Sequence, residues 1–170
     1  MGINEYIELL KSAIYGWHSQ DLKIFENSDL NNNDLSSTLI KLSYHNYVAW
    51  HMIEEYQNAD KDIIKFVYEG GLYHNSSRNF CMQVIDEHYV RLQDIKAEPH
   101  SEGMGSIFDK LSNDYIKYLH LIENNDERSS LLENQVFYFE KCLQKLDTDL
   151  REGNKSIIVF QKFKVNGYNE

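Results

Sequence analysis

The stretch that decides the fold is residues 131–150, LLENQVFYFEKCLQKLDTDL. Its apolar positions repeat at alternating steps of four and three residues, and they are Leu132, Val136, Phe139, Leu143, Leu146 and Leu150. This period is close to the ~3.6 residues of a helical turn and predicts an amphipathic helix with one buried face. Gly153 then stands where a glycine commonly ends a helix, because glycine adopts the left-handed conformation without strain.

Four further segments upstream show the same helical period. They predict helices over about residues 3–18, 35–58, 61–93 and 106–124. The third is unusually long, and Gly70-Gly71 marks a point at which such a helix can break or kink. The chain has one proline and 8 glycines, too few for the many turns of a sandwich or a barrel. We therefore predict an all-α, antiparallel bundle of five main helices.

The length of 170 residues suits one domain, which we place at residues 1–153. Residues 154–170 form a tail of different character, because SIIVF at 156–160 is β-branched and apolar and the following residues alternate. This pattern predicts a strand. A lone strand has to pair with something, and no partner is obvious in the chain. We expect it to pair with residues 22–26 or with the same tail of another subunit, which would make the protein a homo-oligomer.

Charge and cysteine content narrow the partners and the compartment. The net charge of −10 opposes binding to nucleic acid and to anionic membranes. The 2 cysteines provide no disulfide framework. The N-terminal residues combine acidic side chains with a helical period, unlike a signal peptide, and no apolar stretch reaches the length of a membrane span. We therefore expect a cytoplasmic protein with no nucleic-acid or membrane partner.

The predicted core stripe of the third helix is interrupted by the polar residues Asn75 and Arg78. A guanidinium stays charged at any ordinary pH, so its burial is costly unless an acid pairs with it. We expect this acid to be Asp86, farther along the same helix, or Glu54 or Glu55 on the second helix.

These residues predict either a polar pocket inside the bundle or a buried network that fixes the register of the helices. In a pocket, Arg78 would hold an anionic group, while Asn46 and Asn75 would orient the hydroxyl groups of a sugar. His51 with Glu54 would supply acid–base chemistry. The candidate ligand-binding residues are thus Asn46, Asn75, Arg78 and Asp86, and the candidate catalytic residues are His51 and Glu54.

Two histidines each precede a glutamate by three residues, His51 before Glu54 and His120 before Glu123. Positions three apart share a helix face, so each pair can offer one nitrogen and one oxygen to a metal ion. These four side chains predict, as an alternative, the site of a metal-dependent hydrolase. On a helical wheel, however, His120 lies opposite the main apolar stripe of its helix.

A series of short motifs in a fixed order resembles a known bacterial family. The motifs, in chain order, are Trp17-His18, Asn46, Trp50-His51, Asn75 and Arg78, Ile85-Asp86, Ser101-Glu102, Asp109-Lys110-Leu111-Ser112 and His120. Over about residues 5–152 the chain is therefore similar to the domain-of-unknown-function family numbered 4254. It departs from the family pattern at Ile53 and Gln83, which replace acids, at Gln57, which replaces a basic residue, and at Phe80, which replaces a polar one.

The resemblance implies no established reaction. The genes of the family often stand beside glycosyltransferases of cell-surface polysaccharide pathways, which implies a sugar or sugar-phosphate ligand, and the motif adds Trp50 to the ligand-binding candidates. Three functions follow. The first is a protein that binds or processes such a ligand in glycan synthesis. The others are a non-enzymatic accessory or scaffold protein with a structural polar core, and a metal-dependent hydrolase.

Overall fold

The computed structural model describes residues 1–19, 32, 34–57 and 64–159, and for 54–57 and 64–68 it describes the backbone alone. Within these residues the secondary structure consists of five helices and two short strands. The helices are α1 (Ile3–Ser19), α2 (Leu35–Gln57), α3 (Ile64–Val90), α4 (Met104–Glu123) and α5 (Ser129–Arg151), and the strands are β1 (Glu98–Pro99) and β2 (Lys155–Ser156). The predicted all-α class is confirmed. None of the described helices combines the length and the apolar character needed to cross a bilayer.

One hydrophobic core joins the five helices. The side chains that it buries completely include Leu10 and Ile14 of α1, Leu39 and Leu42 of α2, Ile85 of α3, Phe108 and Leu111 of α4, and Leu143 and Leu150 of α5. The α5 residues belong to the stripe that the sequence predicts. Gly153 ends α5 with a φ of +72°, as expected for a left-handed terminal glycine.

The inner face of α3 differs from the predicted one. The helix runs through Gly70-Gly71 without a break, and Ile85 is buried as expected, but Asn75 is exposed and His74 is buried instead. Eleven residues make about three full turns, so His74 lies almost in line with Ile85, whereas a strict seven-residue stripe drifts around a straight helix. Other large apolar side chains that the structure exposes are Tyr44, Ile53, Leu92 and Ile122.

The start of the tail finds a partner inside the chain that was not predicted from the sequence. β2 pairs in parallel with β1, in the connection between α3 and α4, and Glu98 lies opposite Lys155. The strand covers only two residues, and Ile157 beyond it is buried against the core. Residues 22–26 and 160–165, which also enter the predicted pairing, lie outside the described residues, and pairing between subunits stays a prediction.

A close crossing fixes α4 against α3. At Gly105, in the first turn of α4, a Cβ atom would lie 2.3 Å from the carbonyl oxygen of Met82 on α3. Asp86, one turn later on α3, is fully buried and accepts a hydrogen bond of 2.8 Å from the N–H of Gly105. This carboxylate therefore stabilises the N-terminus of α4, where unpaired N–H groups and the helix dipole favour a negative charge.

Candidate metal centre

Three histidines from three different helices meet near one end of the bundle. They are His18 in the last turn of α1, His51 on α2 and His120 in the last turn of α4. One nitrogen of each ring lies within 4.8 Å of one nitrogen of each of the others. The ring centroids of His18 and His120 are 4.7 Å apart, and those of His51 and His120 are 5.1 Å apart. Side-chain adjustments of about 1 Å would bring these nitrogens to the spacing of ligands around zinc, given Zn–N bonds of about 2.0–2.1 Å.

The helices hold the three rings together through their own contacts. α1, α2 and α4 contact one another in pairs, so the ends of α1 and α4 lie beside the second half of α2. Next to His18, Trp17 donates its indole N–H to the hydroxyl oxygen of Ser43 on α2, with a nitrogen–oxygen distance of 3.0 Å. This bond ties the last turn of α1 to α2 and places His18 over the following turns of that helix.

Two of the three rings are already held by their outer nitrogens. Nδ1 of His51 lies 2.9 Å from the carbonyl oxygen of Tyr47, one turn earlier on α2. Nδ1 of His18 lies 3.2 Å from Oε1 of Glu123, at the end of α4. The carbonyl of Tyr47 accepts the N–H of Nδ1 of His51, which leaves Nε2 of that ring with a lone pair. The Glu123 carboxylate lies beside Nδ1 of His18 at ion-pair distance. Metal-binding histidines commonly show this arrangement, in which a second-shell acceptor fixes the ring and its tautomer.

One nitrogen of the cluster, Nε2 of His18, makes no hydrogen bond within the described part of the chain. The side chain of His18 is only 10% exposed. Nε2 itself is buried, and no hydrogen-bond partner reaches it from the residues that the structure describes. A buried polar atom without a partner is costly, and native structures usually satisfy it with water, an ion or a ligand. A metal ion between the three rings would satisfy this nitrogen.

The centre differs from the predicted quartet of His51, Glu54, His120 and Glu123. His51 and His120 come together as the quartet requires, and His120 is half-buried rather than fully exposed. Glu123 contacts His18 rather than joining the cluster, and the side chain of Glu54 lies outside the described part of the chain. His18 is missing from that quartet, since residue spacing along a single helix cannot identify a ligand from another helix. The only sequence signal for it is the Trp17-His18 motif at the end of α1.

Arg78 lies in a separate polar cluster between α2, α3 and α4. Its guanidinium binds the Asp109 carboxylate through two hydrogen bonds, Nε to Oδ1 at 3.1 Å and Nη2 to Oδ2 at 2.7 Å. A third bond of 3.0 Å runs from Nη1 to the amide oxygen of Asn75. Asn46, which is buried, donates to Oδ1 of Asp109 at 3.0 Å. The grouping of Asn46, Asn75 and Arg78 that the sequence predicts is found in the structure. The role of Asp109, which binds both Arg78 and Asn46, is not predicted.

The prediction that Asp86 pairs with Arg78 is wrong. Asp86 stands eight residues after Arg78, which places it about 80° around the helix, and its carboxylate caps α4 instead. Gly103 leaves room for that carboxylate, because a Cβ there would lie 2.4 Å from Oδ1 of Asp86. Trp50, the other predicted ligand-binding residue, lies beside the metal centre, and the centroids of its ring and of the His120 ring are 5.9 Å apart.

A second pair of histidines lies next to the Arg78 cluster. Nδ1 of His45 on α2 and Nδ1 of His74 on α3 are 2.9 Å apart, so one ring donates and the other accepts. Burial, the His74 ring and the charge of Arg78 lower the pKa of His45 to about 4. Burial also lowers the pKa of His74. Both rings are therefore neutral at physiological pH.

Comparisons with protein-family models, with curated proteins and with solved structures find no match for this chain. The resemblance to the family numbered 4254 accordingly stays a prediction from the sequence. The function is argued below from the geometry of the histidine cluster.

Proposed function

We propose that His18, His51 and His120 bind a divalent transition metal, zinc by preference, and that the protein is a metal-dependent hydrolase. The observation that carries this proposal is the convergence of three imidazole nitrogens within 4.8 Å of one another. The contacts at Nδ1 support it: the Tyr47 carbonyl accepts from His51 and leaves Nε2 of that ring available, and the Glu123 carboxylate lies 3.2 Å from Nδ1 of His18. Imidazole ligands suit zinc, copper, nickel and iron better than magnesium or calcium.

Three ligands converge among the residues that the structure describes, and this number favours catalysis over a structural role. Structural zinc sites use four protein ligands, whereas catalytic sites use three and leave the fourth position to water or substrate. A metal ion held by these rings would lower the pKa of its water to about 7 and so supply a nucleophile at neutral pH. The protein would orient the ligand rings, with the Glu123 carboxylate beside Nδ1 of His18 restricting that ring.

Metal binding by the full-length, tag-free protein tests the proposal. Chelator-treated protein is titrated with Zn²⁺ by calorimetry and with Co²⁺ by visible absorption, which reports tetrahedral coordination. We expect one metal ion per chain. His18→Ala, His51→Ala and His120→Ala should each weaken binding by at least about 100-fold, more than a second-shell change does. The matched control is His88→Ala, an exposed histidine on α3. Absence of stoichiometric metal, or equal affinity in the wild type and the three variants, overturns the proposal.

The second candidate is a site for a sugar or sugar phosphate at Arg78, with Asn75 as its partner. In its favour, the Arg78 side chain is 22% exposed and Asn75 is exposed beside it, so a ligand can reach the pair. This candidate and the family resemblance together imply a bacterial, cytoplasmic protein that is linked to cell-surface glycan synthesis. A thermal-shift screen with sugar phosphates and nucleotide sugars tests it: stabilisation that Arg78→Met abolishes supports the site, and no stabilisation of the wild type contradicts it.

A further inference from the structure

An apolar groove adjoins the proposed metal centre. It lies between α2, α4 and α5, has a volume of about 460 Å³, and His120 forms part of its wall. Pockets of about 300–1,000 Å³ take small organic ligands. Because one of the three clustered histidines also lines the groove, a molecule bound there has one end beside the metal position.

The lining of the groove is almost entirely hydrocarbon. Trp50 contributes from α2, Leu121 from α4, and Leu131 and Leu132 from α5. Leu131 is 66% exposed. An apolar group of a ligand would cover this side chain and remove it from water, which favours binding.

Two cations line the groove, and each already has an acidic partner. Nζ of Lys117 lies 3.0 Å from Oδ1 of Asp114, and Nη2 of Arg128 lies 2.6 Å from Oδ2 of Asp126. The hydrogen bonds from Arg128 lower the pKa of Asp126 to about 2, so this pair stays charged at neutral pH. A phosphate group relies on uncommitted Arg or Lys side chains, whereas a neutral ester does not. The groove therefore favours a neutral substrate.

We propose that this groove holds the acyl chain of a neutral carboxylic ester, whose carbonyl group then lies at the metal. This inference rests on the proposed function. In the reaction, the oxygen of the activated water adds to the carbonyl carbon and the bond to the leaving alcohol oxygen breaks. The carboxylic acid keeps the oxygen from water, and the departing alkoxide takes the proton, so the products are an acid and an alcohol with no change of oxidation state.

Alkyl hydroxamates test the inference without relying on turnover, because the hydroxamate group chelates the metal and leaves its chain to the groove. The probes are acetohydroxamate, butyrohydroxamate and hexanohydroxamate, titrated into Co²⁺-loaded, full-length protein while the cobalt absorption is followed. Each pair of added methylenes should tighten binding roughly tenfold, from the gain of burying each methylene. Leu131→Gln should weaken hexanohydroxamate binding roughly tenfold and leave acetohydroxamate unchanged.

Leu72→Gln is the matched control, because Leu72 is 54% exposed on α3 and is not among the residues lining the groove. It should bind all three probes as the wild type does. If the wild type gives no cobalt spectrum, the proposed function fails and this inference fails with it. If the spectrum is present but the three probes bind equally, or Leu131→Gln behaves like Leu72→Gln, the inference alone fails. Faster metal-dependent cleavage of p-nitrophenyl phosphate than of p-nitrophenyl hexanoate would likewise overturn it.

Discussion

At the scale of a single residue, substitution of Glu123 tests whether His18 is a metal ligand. Its side chain is 61% exposed, so an ion pair alone would contribute little to stability. As a second-shell acceptor it should matter much more for metal affinity, and we expect Glu123→Ala to weaken Zn²⁺ binding about 10–100-fold. Glu123→Gln keeps a carbonyl oxygen as acceptor and should lose less. Competition with a chromophoric chelator measures both, with the exposed Glu127→Ala as control. Wild-type affinity in Glu123→Ala would contradict the second-shell role.

Arg78 and Asp109 form a pair whose main effect should be on stability. The side chains are 22% and 12% exposed, so the removal of either partner leaves a largely buried charge without its counter-ion. We expect Arg78→Met to lower the free energy of unfolding by about 3 kcal/mol, and Arg78→Met with Asp109→Leu to recover much of that loss. Urea denaturation measures both, with the exposed Arg91→Met as control. A loss near zero in Arg78→Met would mean that the arginine serves a ligand instead.

Single residues show where inference from the sequence ends. His51 and His120 are identifiable because each stands three residues before a glutamate. His18 and Asp109 complete the two clusters from other helices, and their roles depend on how those helices cross. Spacing within one helix carries no information about such crossings, so the ligand set and the partner of Arg78 could not be deduced from it.

At the scale of whole helices, two glycines test how closely the helices pack, because Gly105 lies at a close helix crossing and Gly71 does not. At Gly105 an added Cβ would press on the Met82 backbone, which cannot rotate away, and we expect Gly105→Ala to destabilise the protein by about 2 kcal/mol or more. At Gly71, within α3, no atom of the described residues lies within 4 Å of such a Cβ. Gly71→Ala should therefore stabilise the protein by about 0.5–1 kcal/mol through helix propensity.

Thermal denaturation of the two variants gives the comparison, and each serves as the control of the other. Equal melting temperatures for Gly105→Ala and the wild type would contradict the close crossing of α3 and α4. A loss of stability in Gly71→Ala would contradict the open surroundings of that residue.

Helices could be predicted from the sequence and strand pairing could not. α5 was predicted within a residue of its observed end because its apolar period is unbroken from Leu132 to Leu150. Local periodicity is a property of neighbouring residues, and it is readable without knowing the fold. β1 and β2 pair residues 98 and 155, and a two-residue strand has no period to detect. Such a pairing follows from where the helix ends lie.

Two truncations test, for the whole molecule, what the tail does. Ile157 is 3% exposed, its N–H donates to Oε1 of Gln93 at 2.6 Å, and the N–H of His100 donates to the carbonyl of Ser156 at 2.7 Å. A chain that ends at Gly153 loses these contacts, and we expect its free energy of unfolding to fall by about 3 kcal/mol.

A chain that ends at Val159 keeps these contacts, so it should be more stable than the chain that ends at Gly153 by about the same 3 kcal/mol. The same truncation also tests the hypothesis that the tail joins subunits into an oligomer. A lower mass by light scattering than the full chain supports association through residues 160–170. An unchanged mass contradicts it.

Acid should destabilise the whole bundle through the buried histidine pair. The pKa of His45 is lowered to about 4, below its value of about 6.5 in an unfolded chain, and the pKa of His74 is lowered as well. Between these values the unfolded state binds more protons than the folded state, so stability is complete above about pH 6.5 and is lost as the pH falls towards 4. For a half-exposed ring this loss is roughly 1 kcal/mol after allowance for solvent screening.

Metal-free protein is the right sample, because acid also protonates metal ligands and would release a bound ion. His45→Gln should show a shallower dependence of urea stability on pH, while the control Leu72→Gln, at an exposed position on α3 without a titratable group, keeps the wild-type slope. Equal slopes in His45→Gln and the wild type would mean that the pair does not resist protonation.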